Sequence, residues 1–563
     1  MMEIVRRTVP PSAQTLAQSG VHPVLARIFA ARGIVGTGEL DATLAGLPSF
    51  ASLRGIEAAA TRLADAIERR ERIVIVADYD ADGATACAVG VRGLSAMGAD
   101  IGFVVPNRFE YGYGLTPEIV AQAAAHSPRL IVTVDNGIAS HDGVAAAVAL
   151  GIEVLITDHH LPGAALPSPA LIVNPNQPGC AFACKHLAGV GVMFYVLLAT
   201  RATLRARGRL PDGGPHLAEL LDLVALGTVA DVVRLDRVNR TLVGQGLARI
   251  RAGRAHPGVT ALFTAAGRDH RRATAYDLGF VAGPRLNAAG RLADMTVGIR
   301  CLLADTAASA LPLAAELDRL NHERRDVEAV MQEAALLDLA ARTAEAADAD
   351  AWTLCLYRPE WHQGVIGIVA SRLKEQFHRP AIVFARGKGD ELKGSGRSIP
   401  GFHLRDALDL IDKRAPGVIT RFGGHAFAAG LTLSEAALPR FAAVFETVAR
   451  EQLTAAQLKR ALETDGVLAP GELNLDLATV LRNEVWGQGF PAPVFDDTFA
   501  VSAQRVVAER HSRLVLTRAG ERFDAILFNH VEALPASIRA AYRPDLNEWN
   551  GAASLQLVIE HWE

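Results

Sequence analysis

The sequence has few cysteines, few aromatic residues and little net charge. Its 563 residues include five cysteines, and an odd set in a chain without a visible secretory segment predicts reduced thiols rather than a disulfide framework. Cys180 and Cys184 could ligate zinc, but no second pair completes such a site. The net charge of −4 does not by itself indicate a nucleic-acid partner, although local fields can differ from the total.

The sequence also lacks long hydrophobic runs. The longest, at about 190–199, stops before Arg201 and is shorter than the ~20 residues that span a bilayer. No continuous apolar core of a secretion signal precedes Ser19. We therefore expect a cytoplasmic protein with no membrane partner. Half of the residues are apolar and 21% are charged, which is typical of a globular protein with several domains at this length.

One apolar run ends in a dense set of acids. The segment IVIVADYDADG at 73–83 places Asp78, Asp80 and Asp82 on alternate positions after a buried-type strand. Side chains two residues apart on an extended backbone point the same way. Carboxylates that lie so close together cannot all stay ionised without a compensating cation. Alone, the segment could equally be a solvated acidic loop.

Two further strands end in the same kind of residue, which disfavours the loop. IVTVDNG at 131–137 ends in Asp135, and VLITDHH at 154–160 ends in Asp158, His159 and His160. Ala-rich, helix-like stretches separate these runs, so we predict a parallel sheet with crossover helices. Ligands of such sheets bind at the carboxyl ends of the strands. Carboxylates with imidazoles suit Mn²⁺ or Mg²⁺, so the sequence predicts a metal site.

The remaining pattern divides the chain into segments. We predict an α/β fold in which two α/β domains are joined by a long helix and followed by an all-β barrel or sandwich. The predicted boundaries are a helical lead-in at 1–50, a first α/β domain at 51–306, a connecting helix at 307–346, a second α/β domain at 347–463 and the β domain at 464–563.

Two glycine-rich stretches of the second α/β domain predict loops that handle phosphate. GSGRS at 394–398 offers backbone N–H donors and the guanidinium of Arg397, which suit a terminal phosphate. RFGGH at 421–425 offers close backbone approach and the imidazole of His425. Taken singly, either stretch could be only a tight turn.

The ordered motifs resemble the DHH phosphoesterase superfamily. DYDADG at 78–83, TVDNG at 133–137, TDHH at 157–160 and AD at 230–231 carry this resemblance. GGH at 423–425 points to the subgroup with a DHH-associated domain. WHQGVIGIVAS at 361–371, GSGRS at 394–398 and GPRLNAAGR at 283–291 are similar to its members that degrade single-stranded DNA. The resemblance covers the chain from about 50 to its end and implies that the last domain is an OB-like nucleic-acid-binding fold.

The resemblance also implies roles for individual residues. Two divalent ions, Mn²⁺ or Mg²⁺, would be held by Asp80, Asp82, Asp135, His159 and Asp231. His160 would face the scissile phosphate with His425 nearby. Asp78 and Asp158 would support the metal-binding side chains without binding the ions themselves. Some members carry a histidine where this chain has Val76, which implies one metal position with fewer protein ligands. The DNA strand and its 5′-phosphate would contact Arg108, Arg285, Ser395, Arg397, Gly423 and Gly424.

The implied activity is 5′-to-3′ hydrolysis of single-stranded DNA to 5′-mononucleotides in recombination and repair. The implied partners are a DNA strand with a 5′ end, a single-strand-binding protein and a helicase, and the protein is expected to be a monomer. A phosphodiesterase for oligoribonucleotides, nucleotide bisphosphates or cyclic dinucleotides is one alternative, disfavoured by the C-terminal β domain. A non-catalytic DNA-binding scaffold is another, disfavoured because the principal acids and both histidines are present.

Overall fold

The computed structural model describes residues 2–107, 114–344, 350–549 and 552–563. Its strands, in chain order, are β1 (Glu3–Arg6), β2 (Arg72–Ala77), β3 (Asp100–Val104), β4 (Leu130–Val134), β5 (Glu153–Thr157), β6 (Leu171–Val173), β7 (Leu354–Tyr357), β8 (Ala381–Arg386), β9 (Glu391–Arg397), β10 (Arg421–Gly424), β11 (Ala428–Ser434), β12 (Ala461–Thr464), β13 (Phe495–Val507), β14 (His511–Arg518), β15 (Glu521–Leu527), β16 (Ser537–Trp549) and β17 (Ala552–Trp562).

The helices of the described residues include one of the π type. The α-helices are α1 (Ser12–Gln18), α2 (Pro23–Ala31), α3 (Ile56–Glu68), α4 (Ala81–Ala96), α5 (Pro117–Ala124), α6 (His141–Ala149), α7 (Gly189–Ala206), α8 (Leu221–Ala230), α9 (Arg237–Arg251), α10 (Pro257–Ala265), α11 (Ala275–Asp277), α12 (Gly283–Leu292), α13 (Thr296–Leu302), α14 (Ala307–Ala344), α15 (Ile366–Phe377), α16 (Leu404–Arg414), α17 (Leu438–Gln452) and α18 (Leu475–Asn483). A π-helix covers Leu278–Ala282. Short 3₁₀ turns cover Thr37–Leu40, Leu44–Gly46, Phe50–Ser52, Pro211–Gly213, Leu217–Leu220, His270–Arg272 and Glu435–Ala437.

The chain divides into two compact units. One comprises Arg6–Asn321 and Thr464–Glu563, and the other comprises the residues up to Val5 and His322–Glu463. Helix α14 begins in the first unit and ends in the second. This confirms the long helix expected between the two α/β sheets.

The first unit contains the predicted parallel sheet. Its strand order is β3-β2-β4-β5-β6, and every neighbouring pair is parallel. The strands β2 and β4 are buried nearly throughout, because helices cover both faces of a parallel sheet and select continuous apolar runs. All the carboxyl ends therefore lie along one edge, as the sequence predicted.

Helix α7 passes through the centre of this unit. Its length and composition would allow it to cross a membrane, but 67% of it is buried inside the protein. Among the described residues it is the one helix with these properties. It packs against α3, α4 and α8, which is the environment of a core helix in a folded domain.

The second unit has a mixed sheet in the order β10-β11-β9-β8-β7. The two glycine-rich stretches that were predicted as loops are strands here, so that prediction was wrong. An added Cβ at Gly394 would lie 2.5 Å from a ring carbon of Phe384, and one at Gly396 would lie 2.7 Å from Leu404 Cδ2. Glycine in β9 therefore permits close packing on the buried face of the strand, which sequence alone does not distinguish from a turn.

The C-terminal strands close into a barrel in the order β13-β14-β15-β17-β16. The barrel or sandwich prediction is confirmed in its barrel form. The amino-terminal region contains the strand β1 as well as helices, and β1 pairs with β12. All five cysteines are free, as expected for reduced thiols.

Candidate metal centre

The carboxyl ends of three neighbouring strands bring acids and histidines together. Three overlapping groups have ligand atoms that lie within 4.8 Å of one another: Asp78 with Asp80 and Asp135, Asp82 with His159 and Asp231, and Asp135 with His159 and His160. Asp135 and His159 each belong to two groups. The predicted ligands therefore converge at one edge of the sheet, and Asp78 lies among them.

Helix α4 starts inside this cluster and positions two of the acids. Asp80 caps the helix by accepting a hydrogen bond from the N–H of Gly83 at 3.0 Å. Asp82, whose side chain is fully buried, accepts from the N–H groups of Gly189 at 2.7 Å and Val190 at 2.9 Å, at the start of α7. A helix N-terminus favours a carboxylate that is ionised. The core helix thus fixes the orientation of Asp82.

His159 lies between three carboxylates. Its Nε2 is 3.1 Å from Asp135 Oδ1, 3.5 Å from Asp231 Oδ2 and 4.0 Å from Asp82 Oδ2. Asp135 itself adopts a left-handed backbone with φ +61°, which is uncommon outside glycine and is found at functional sites. An added Cβ at Gly189 would lie 2.6 Å from Asp135 Cβ. Glycine is therefore required where α7 meets this aspartate.

Asp231 follows the last residue of α8 and lies at its carboxyl end. An acid is unfavourable at this pole of a helix because the carbonyl groups there carry partial negative charge. The next residue, Val232, has φ +62°, an outlier for a β-branched side chain. Both features are explained if a cation bound by Asp231 stabilises this helix end.

Asp158 organises the two histidines from behind. One oxygen accepts from the N–H of His159 and from the N–H and Nδ1 of His160, at 2.7, 3.0 and 2.7 Å, and the other accepts from the N–H of Ile138 at 2.9 Å. Burial lowers the pKa of His160, but the contact with Asp158 outweighs burial and raises it to about 9. The contact with Asp158 therefore favours the protonated form of the His160 imidazole.

The buried acids are unfavourable as a set of anions. Burial and then the neighbouring Asp80 raise the pKa of Asp82 to about 7. Burial and then Asp82 raise the pKa values of Asp135 and Asp231 well above the usual range. A divalent cation is the partner that would let all of them ionise. The donor set of carboxylates and imidazole without thiolate fits Mn²⁺ or Mg²⁺.

Asparagines that the sequence analysis missed hold the loops of this centre. The side chain of Asn136 donates to the carbonyls of Val76 and Val134, at 3.1 and 2.9 Å, and so ties the ends of β2 and β4 together. Asn174 and Asn176, just after β6, donate to the carbonyls of His160 and His159. Their place at a strand end was the same signal that identified the acids.

The predicted DNA-contacting arginines are in different situations. Arg285 is buried, and its guanidinium contacts Asp318 at 2.7 Å and donates to the carbonyl of Val281 at 2.6 Å. This ion pair gives Arg285 a structural role, and its contact with DNA stays a prediction. Arg108 lies outside the described residues.

The predicted phosphate residues of the second unit lie close together on its sheet. The strand register aligns Ser395 with Gly430, and Gly430 with Gly423. Nη1 of Arg397 donates to Ser395 Oγ at 3.2 Å. An added Cβ at Gly367, in the first turn of α15, would lie 2.9 Å from Ser395 Oγ and 3.0 Å from Arg397 Nη2. The N-terminus of α15, the Ser395 hydroxyl and the Arg397 guanidinium therefore lie close together.

The other predicted residues follow strand β10. Gly424, with φ +139°, ends the strand, and His425 is an exposed residue of the turn into β11. The N–H of His425 donates to the carbonyl of Ala428 at 2.8 Å, which fixes the turn. Its imidazole belongs to the second unit, whereas the metal-centre residues belong to the first.

Three family models match the chain. They are the N-terminal domain of the DHH family at residues 72–228, the DHHA1 domain at 351–451 and the RecJ OB domain at 464–561. Fold and site therefore define a DHH-family protein with a DHH-associated domain and an OB barrel.

Whole-chain comparisons are more specific. The single-stranded-DNA-specific exonuclease RecJ of Dickeya dadantii is 50% identical over 98% of both chains, and that of Escherichia coli is 47% identical over 100% of this chain and 99% of the relative. The crystal structure of RecJ from Thermus thermophilus with Mn²⁺ has a TM-score of 0.83 at 33% identity and covers 100% of this chain and 79% of that chain. Its complex with Mg²⁺ has a TM-score of 0.77 at 31% identity, covering 100% and 78%. The chain belongs to the RecJ family.

Proposed function

We propose that this chain is a metal-dependent exonuclease that degrades single-stranded DNA from its 5′ end and releases 5′-mononucleotides, in DNA recombination and repair. The observation that carries the proposal is the convergence of Asp82, Asp135, His159 and Asp231 at the strand ends of a RecJ-family chain. RecJ of Thermus thermophilus has been solved with Mn²⁺ and with Mg²⁺, the ions that this donor set fits.

Asp80, Asp82, Asp135, His159 and Asp231 would hold the metals. Two bound divalent ions supply an activated water and neutralise charge on the attacking and leaving oxygens of phosphodiester hydrolysis. The hydrogen bonds from α7 keep Asp82 oriented, and the missing side chain at Gly189 leaves room for Asp135. Asp78 lies close enough to add a carboxylate where Val76 offers none.

His160 would face the scissile phosphate. Its imidazole is hydrogen-bonded to Asp158, which favours the protonated form. A protonated imidazole would suit a phosphate oxygen, since charged donors make the stronger hydrogen bonds. Because Asp158 also fixes the backbone of both histidines, it acts as a positioning residue for them.

The polarity of degradation would come from the second unit. Ser395, Arg397 and the first turn of α15 offer a hydroxyl, a guanidinium and helix N–H groups to a 5′-phosphate. Gly423 and Gly424 would let the strand approach the backbone closely, and His425 would contact the phosphate next to the cleaved bond. Arg108 and Arg285 would contact the DNA strand.

The C-terminal barrel favours a polymeric substrate over a small phosphodiester. OB barrels bind single strands through backbone charge and base stacking, without sequence preference. A non-catalytic scaffold would not need a buried acid cluster, which is energetically unfavourable without a metal. The cluster therefore favours the enzyme over the scaffold. We further propose cytoplasmic location, a monomeric state, and a single-strand-binding protein and a helicase as partners.

Digestion of end-labelled DNA tests the proposal. A 5′-phosphorylated single strand should be degraded from its 5′ end with Mn²⁺ or Mg²⁺, while a blunt duplex and a chelated reaction should show no product. Asp135→Ala should abolish cleavage without lowering the unfolding temperature. Asp142→Ala, which removes an exposed acid on α6, is the matched control and should keep full activity. Degradation from the 3′ end, or activity in chelator, would refute the proposal.

A further inference from the structure

An exposed aromatic pair lies on the segment that packs against helix α8. Tyr276 and Phe280 are 59% and 66% exposed, and their rings stack on each other with centroids 4.7 Å apart and planes inclined by 23°. Exposed large aromatics that cluster in this way mark a binding surface more often than a packing accident. Their area contributes to no core cluster of the described residues.

Tyr276 lies in the short helix α11, and Phe280 lies in the unusual backbone element that follows it and contacts the end of α8. Phe280 belongs to the π-helix Leu278–Ala282, a rare element that is frequent at functional sites. An added Cβ at Gly279 would lie 3.2 Å from Val229 Cγ1, and one at Gly283 would lie 3.0 Å from Ala230 Cβ. The π-helix therefore packs directly on the residues that precede Asp231. The element that carries Phe280 is therefore packed against the helix whose carboxyl end carries Asp231.

An exposed apolar residue and a basic segment lie near these elements in the sequence. Val232, which follows Asp231, is 62% exposed, so an apolar side chain faces solvent next to a predicted metal ligand. The segment RDHRR at 268–272 ends four residues before Tyr276 and carries three arginines against one aspartate. Exposed aromatics together with arginines are the pattern that binds single-stranded nucleic acid, with bases on the rings and phosphates on the cations.

We propose that Tyr276 and Phe280 form a stacking surface for the bases of the DNA strand near the metal centre. This inference rests on the proposed exonuclease function. The surface would bind DNA without sequence preference, because every base has an aromatic face that can stack. Its contribution is to hold the strand while the phosphodiester is positioned at the acids.

Abasic strands test the stacking itself. The double variant Tyr276→Ala/Phe280→Ala should raise KM for a long single strand roughly tenfold or more and leave KM for a strand made only of abasic nucleotides unchanged, because that substrate has no base to stack. For the unsubstituted enzyme, one abasic site moved stepwise from the 5′ end should raise KM at a small window of positions. In the double variant the same abasic sites should add nothing, since the two changes remove one interaction.

Two further variants complete the experiment. Tyr276→Trp/Phe280→Trp should restore KM, because any large aromatic can stack. Leu150→Ala is the matched control: this side chain is 58% exposed but precedes β5, at the opposite edge of the sheet from the metal centre, and its KM should stay unchanged. The proposal is overturned if the double alanine variant has the same KM as Leu150→Ala. It is also overturned if the double alanine variant raises KM by the same factor wherever the abasic site is placed. If the unsubstituted enzyme with Mn²⁺ leaves single strands intact, the proposed function itself fails.

Discussion

Adding one methyl group at Gly189 should disable the metal centre while leaving every predicted ligand in the sequence. The N–H of Gly189 donates to Asp82, and its Cα faces Asp135. Alanine preserves that N–H and is a better helix former than glycine. Any loss of activity in Gly189→Ala would therefore come from the new Cβ and its contact with Asp135.

The size of the effect follows from the distances. The new Cβ would lie 2.6 Å from Asp135 Cβ and 2.7 Å from Asp135 Oδ1, about 1 Å less than an ordinary carbon contact. The backbone N–H of Asp135 donates to the carbonyl of Thr157 at 3.0 Å, so the side chain or the start of α7 must move. Overpacking of this kind costs about 1–3 kcal/mol of stability. A displacement of about 1 Å at a catalytic group can lower the rate roughly a hundredfold.

The assay is kcat on a single strand as a function of Mn²⁺ concentration, with the unfolding temperature measured in parallel. We expect Gly189→Ala to need more Mn²⁺ and to keep a kcat at least tenfold below that of the unsubstituted enzyme at saturation. Gly244→Ala, in helix α9, is the matched control. Its new Cβ would lie 3.6 Å from Val485 Cγ2, which is an ordinary contact. A Gly189→Ala enzyme with unchanged kcat and unchanged Mn²⁺ dependence would refute the close approach of α7 to Asp135.

Three further predictions concern the same residues and the phosphate pocket. Asp158→Asn should lower kcat about 10- to 100-fold and lower the pKa of His160, seen as a shifted limb in the pH dependence of kcat; an unshifted profile would contradict its positioning role. In chelator, the free energy of unfolding should fall as pH rises from about 4 to about 7, because folded Asp82, with its raised pKa, keeps a proton that the unfolded chain has lost. Calorimetry with saturating Mn²⁺ should show that fall reduced, and equal slopes would count against a metal at Asp82. Arg397→Met should raise KM for a 5′-phosphorylated strand but not for one with a 5′-hydroxyl, and an equal change on both strands would exclude a phosphate contact.

The sequence predicted the parts of the site that local patterns determine. Buried parallel strands leave continuous apolar runs, so the acids at the ends of β2, β4 and β5 could be placed at one edge of a sheet. Strand β16 gives no clear strand pattern in the sequence, because its second half, RPDLNE at 543–548, is polar and contains Pro544. That proline lies where β16 pairs with β17 but no longer with β13, a position at which a missing N–H is tolerated.

Contacts made by distant residues could not be predicted in this way. The ion pair of Arg285 with Asp318 joins α12 to α14, and only the packing of those helices shows it. The hydrogen bonds from Gly189 and Val190 to Asp82 span more than a hundred positions of sequence. Glycine in β9 was mistaken for a loop residue because its use there depends on Phe384 and Leu404. In each case the tertiary neighbour, not the local sequence, determines the role.

A second buried acid, Asp496, shows by contrast why the first cluster is a candidate metal centre. Asp496 is buried, and burial tends to raise its pKa, but hydrogen bonds from Arg6, Thr464 and Arg539 reverse the effect and lower it. At Asp82 burial acts in the same direction, and the next largest influence is another carboxylate, Asp80, which raises the pKa further. Burial alone therefore does not distinguish a structural acid from a metal ligand. The sign of the neighbouring charge does, because an acid surrounded by arginines is already compensated, whereas an acid surrounded by acids requires a cation from solution.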